Sequence, residues 1–94
     1  MEVGDAVHFQ LEENIIGIVG FASMSYKAQL QRCIQQLGYS FGRGILKQKG
    51  MLEWKIHVVD DTSSPIYTHD NQPFVIRMLV SRELGRPVGL TRIT

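Results

Sequence analysis

One short run restricts the fold of this chain more than any other. Between residues 52 and 58, Leu52, Trp54, Ile56 and Val58 alternate with Glu53, Lys55 and His57. A strict period of two puts every second side chain on one face of an extended backbone, so this segment reads as a strand with one face buried. Just before it, Lys47-Gln48-Lys49-Gly50 is a polar turn that contains a glycine, and GRGIL precedes that. Strand, turn and strand make a hairpin. A lone hairpin is marginal in water, so the rest of the chain has to cover its apolar face.

The flanking segments supply candidates. AVHFQL (residues 6–11) alternates, with Val7, Phe9 and Leu11 on one side. IIGIVGFA (15–22) is a continuous apolar, largely β-branched run that suits a central strand; Gly17 and Gly20 inside it mark a bulge or a close backbone approach. The period then changes. Tyr26, Leu30, Cys33, Ile34 and Leu37 recur at helical spacing behind a serine cap, and Gly38 stands where a left-handed residue ends a helix. Residues 73–84 fit two descriptions. Pro73 at the start, Gly85 at the end and Pro87 beyond agree with a helix, whereas Phe74, Ile76, Met78 and Val80 alternate as in a strand. The terminal punctuation favours the helix, which would be apolar on nearly every side. Residues 88–94 read as a final short strand.

The order is then β-β-α-β-β-α-β. The expected class is α+β: an antiparallel sheet with two helices on one face, ferredoxin-like β-α-β-β-α-β with an extra N-terminal strand. The alternative is a small SH3-like β-barrel with one inserted helix, suggested by the opening hairpin. Either way, 94 residues make a single domain, residues 1–94. A domain of this size buries only about 60–65% of the surface its unfolded chain exposes, so its core is thin.

Cys33 is the only cysteine, which excludes an internal disulfide framework. With no secretory pattern in MEVGDAVHFQ, it points to the cytoplasm. No apolar run is long enough to span a bilayer, and no membrane role is expected. Net charge is +1 but uneven: four acids and no Lys or Arg up to Tyr26, then six bases against Glu53 and Asp60 from Lys27 to Asp60. This permits a polyanionic partner without requiring one.

LGYSFGRG (37–44) partly matches the RNA-recognition signature through Gly38, Tyr39 and Phe41, but Leu37 replaces the base and Gly44 the last aromatic. Its aromatics also fall at a helix-to-strand junction, where they serve as a cap contact and a core residue rather than as stacking platforms for bases. Its glycines precede a strand instead of opening a helix, so they do not form a phosphate loop. SRELGRPVGLTRIT (81–94) resembles the middle of a helix-turn-helix over about a dozen residues, yet too little chain follows for a recognition helix. His57, Asp60, Asp61, His69 and Asp70 lie on or near a long loop, in no spacing characteristic of a metal site. Cys33 belongs to an apolar stripe, as a small hydrophobe.

The first functional expectation is therefore a non-enzymatic binding or regulatory module that needs no cofactor. It would be homodimeric through surplus apolar surface at Val75, Ile76, Leu79 and Val80, and its further partner would be a protein or a small molecule. The second is nucleic-acid binding, with Arg43, Lys47, Lys49 and Lys55 on the basic hairpin beside His57 and His69. The third is a small metal-dependent enzyme built on the histidines and loop acids.

Overall fold

A computed structural model describes residues 1–10, 15–18, 35, 41–67 and 71–93. They contain β1 (Ala6–Gln10), β2 (Ile15–Ile18), β3 (Phe41–Lys49), β4 (Glu53–Val59), β5 (Val75–Leu79) and β6 (Leu90–Arg92). All pair antiparallel in one six-stranded sheet of order β2-β5-β4-β3-β1-β6.

From Trp54 to Val58 the alternation folds as its period dictates, but the turn expected at Lys47–Gly50 lies later, at Gly50–Leu52, because β3 runs on through Lys47, Gln48 and Lys49. Trp54, Ile56 and Val58 are buried, and Glu53, Lys55 and His57 are half-buried on the opposite face. Leu46 faces Ile56, and Ile56 faces Ile76 on the next strand, making a continuous apolar row across three strands. Val7, Phe9, Phe74, Met78 and Leu90 complete one core cluster with these residues. Gly44 lies in the row between Val7 and Val58. A Cβ there would overlap Ile56 Cγ2 and approach the His57 carbonyl oxygen to 2.8 Å, so the close packing of β3 on β4 requires glycine.

The α+β, ferredoxin-like expectation is overturned. Residues 74–84 do not form a helix: 75–79 are β5, paired to β4 on one side and β2 on the other. Phe74, Ile76 and Met78 point into the core, and Val75 and Arg77 point the other way. Two neighbouring strands satisfy every second apolar residue, and their ladders outweigh the end signals that favoured a helix. Those signals have other uses. Pro73 bridges to Tyr67. Gly85, at φ +69°, closes a turn in which its N–H donates to the Ser81 carbonyl (2.9 Å) and the Ser81 N–H donates to the Arg86 carbonyl (3.0 Å).

The barrel alternative is not met either. The sheet does not close, and β2 and β6 stand at opposite ends of the strand order. Among the described strands β2 has β5 as its one neighbour and stands at an end of the order, whereas its composition suggested a central strand; the expected irregularity is present as a register shift between Ile15 and Gly17. The helix expected over 25–37 lies outside the described residues, apart from Gln35. Among the described residues no helix is long and apolar enough to cross a membrane.

Candidate functional site

Two surfaces carry chemistry. The first is the sheet face opposite the core. His8 pairs with Arg43 across β1 and β3; Ile45, His57 and Val75 form a row across β3, β4 and β5; Lys55 pairs with Arg77 across β4 and β5. Glu53 reaches diagonally to Arg77. The guanidinium grips the carboxylate in a fork, with Nε to Oε2 at 2.5 Å and Nη2 to Oε1 at 2.9 Å. The hydrogen bond from Arg77 is the main cause that holds the Glu53 carboxyl below its ordinary pKa, and Glu53 in turn raises that of Arg77. One base of this face is therefore already neutralised. His57 Nε2 lies 3.3 Å from the Ile66 carbonyl oxygen, and its ring meets the edge of Tyr67 at 5.9 Å.

The bases named from sequence do not all share this face. Arg43 and Lys55 do. Lys47 is the extra residue of a bulge, because the register shifts between Leu46 and Gln48. Beyond the bulge Lys49 is paired with Trp54, a core residue. Its Nζ stands 5.1 Å from the Trp54 ring centroid and donates to the Met1 carbonyl oxygen at 2.6 Å. That ammonium braces the N-terminal segment against the core. His69 lies outside the described residues.

Of the loop acids named from sequence, Asp60 has structural partners, and Asp70 lies outside the described residues. Asp60 Oδ1 accepts hydrogen bonds from the Thr62 hydroxyl (2.7 Å) and from the N–H groups of Thr62 and Ser64 (both 2.9 Å). These bonds, that of the Thr62 side chain foremost, lower the Asp60 pKa. Among the described residues no three His, Cys, Asp or Glu side chains converge as metal ligands.

The second surface is at the far end of β4, and sequence reading missed it. The β3–β4 turn carries Met51 and Leu52, which are 94% and 77% exposed. Leu52 opens the alternating run and was expected inside; the turn takes it out. The Gly50 N–H donates to the Glu53 carbonyl (2.9 Å), and the Val80 N–H donates to the Leu52 carbonyl (2.9 Å), which ties the tip to the chain leaving β5. Between them lies an open groove of about 590 Å³, lined by Met51, Leu52, Leu79, Val80, Ser81, Arg82 and Gly85. Leu79 is 46% and nearby Leu84 in the following turn 53% exposed. The only available signal was the pair Met51-Leu52 directly after a turn glycine, where polar residues are the norm.

The four positions named for pairing between chains are divided. Ile76 is fully buried in the core of the single chain, Val75 is half-buried on the opposite face, and only Leu79 and Val80 line the groove. The argument for pairing rested on a helix apolar all round, and that helix is a strand with two distinct faces. Comparison with known proteins finds no matching family model, no matching curated protein and no matching solved structure.

Proposed function

We propose that this chain is a non-enzymatic binding module that docks a protein partner on the apolar groove between the β3–β4 turn and the segment after β5. The observation that carries this reading is the joint exposure of Met51, Leu52 and Leu79 around one recess. Leaving large apolar side chains in water forgoes roughly 1.5–3 kcal/mol each relative to burial, so a cluster of them on a small domain signals a surface that is covered in use. The groove volume falls within the range of about 300–1,000 Å³ that ligand recesses usually occupy. The tip is hydrogen-bonded to the neighbouring segment, so the recess is formed before a partner arrives, which lowers the entropic cost of binding. A reducing compartment such as the cytoplasm fits a chain with one cysteine.

The nucleic-acid reading draws on Arg43 and Lys55, which share a face. Arg77 beside them is neutralised by Glu53, Lys49 is engaged by Met1 and Trp54, and the apolar Ile45 and Val75 interrupt the basic surface. The groove therefore supports the stronger reading. Amide NMR of the full chain tests the choice, with a pool of leucine-containing synthetic peptides as one probe and mixed-sequence single-stranded oligonucleotides as the other. Shifts confined to residues 50–53 and 79–86 with the peptides are expected. Salt-sensitive shifts around Arg43 and Lys55 with the oligonucleotides, and none with the peptides, would replace this reading with the second.

A further inference from the structure

We infer that the groove selects a partner segment in which a large apolar side chain is accompanied by aspartate or glutamate. This inference rests on the docking reading above and adds the chemistry of the occupant. One wall of the groove is the turn of residues 81–86, which carries Arg82 and Arg86 against Glu83, and the other is the tip of residues 50–53, which carries Glu53. Glu53 is held by Arg77, so the charge left at the groove is that of Arg82 and Arg86 against Glu83. Arg82 lines the groove itself, and Arg86 belongs to the same turn. Among the described residues the ion pairs are Arg77–Glu53 and Arg92–Asp5, so neither Arg82 nor Arg86 has an acidic partner there.

The charge distribution decides between occupants. A second copy docking on the same patch would bring Arg82 and Arg86 against their own counterparts, which is unfavourable. A bilayer fits less well by shape: the apolar side chains surround a recess between two segments, and a flat surface does not fill a recess. A peptide satisfies both conditions, because its apolar side chain enters between Leu52 and Leu79 while a neighbouring carboxylate meets Arg82 at the rim, where a guanidinium can grip it in a fork.

The test is selection of a displayed random peptide library on the full chain, followed by affinity measurements with one selected peptide and its acid-to-lysine counterpart. Selected sequences should combine large apolar residues with Asp or Glu. Exchanging the acids for lysine should weaken binding about 5- to 10-fold, consistent with one or two surface charge pairs. An approximately tenfold rise in salt should remove most of that difference. Arg82→Glu should reverse the preference between the two peptides, and Leu52→Asp should abolish binding of both. Both substitutions are at exposed positions, and an unchanged circular dichroism spectrum and melting midpoint will show that the fold is kept.

Apolar peptides selected without acidic residues, and bound independently of salt, would overturn this inference while leaving the docking reading intact. Failure to select any peptide, together with a dimer in sedimentation that Leu52→Asp dissociates, would assign the groove to a second copy. Failure to select any peptide, together with Leu52-dependent flotation on vesicles containing anionic lipid, would assign it to a membrane surface. Either result removes the inference.

Discussion

The two ends of β4 solve the same problem in opposite ways. After Val59 the chain turns through Asp60 to Ser64, and one carboxylate oxygen takes three hydrogen bonds that hold the turn together. Before Glu53 it turns through Gly50 to Leu52, where backbone groups close the turn and the two side chains at its tip are a methionine and a leucine in water. At the first end the side chains are explained by folding. At the second they make no evident contribution to it. A residue type that costs solubility and gives little stability in return is the ground on which a binding surface is proposed at this end.

The contrast can be broken or sharpened by substitution. The largest effect belongs to the row between the two ends. Ile56→Ala should lower unfolding free energy by about 2–5 kcal/mol in a denaturant titration, because it removes a fully buried side chain that faces Leu46 and Ile76. Gly44→Ala follows, at about 1–3 kcal/mol, since its methyl would press on Ile56 and on backbone that cannot easily move. Glu53→Gln should cost no more than about 1 kcal/mol, because the Arg77 pair is partly exposed and screened.

Acid titration distinguishes the turns as well. Glu53 and Asp60 both have depressed folded-state pKa values. Their stabilisation is complete above the ordinary carboxylate values of about 4 and is lost as pH falls through the lower folded-state values. The melting midpoint should therefore drop on acidification below about pH 4, and the drop should be shallower in Glu53→Gln and in Asp60→Asn. The smallest effect is expected at the tip. Leu52→Ser should leave stability within about 0.5 kcal/mol of the parent while removing peptide binding. A large loss of stability there would erase the difference between the two ends, and the functional argument with it.

Much of the sheet was legible in the sequence, because alternation is a local property. β1, the β3–β4 hairpin and the last short strand could be read from the spacing of Val7 and Phe9, of Trp54, Ile56 and Val58, and from the β-branched tail. Residues 73–84 show where local reading stops. Pro73 and Gly85 mark the ends of a segment but not its conformation, and both helix and strand were open to a run so rich in apolar residues. The candidate site was far less legible. Whether a lysine two residues from another points to the same face depends on a bulge, and the bulge after Leu46 sends Lys49 to Trp54 instead of to the basic surface.

By itself, then, the sequence determined where the chain is extended in its alternating runs and which side chains of those runs are apolar, since both follow from neighbours along the backbone. Tertiary structure alone decided that residues 75–79 are a strand, because only the ladders to β4 and β2 could overrule end signals that favoured a helix. It also decided that Leu52 leaves the core and joins Leu79 across a groove. Those two residues lie far apart in sequence, and only cross-strand pairing and the Val80-to-Leu52 hydrogen bond bring them together.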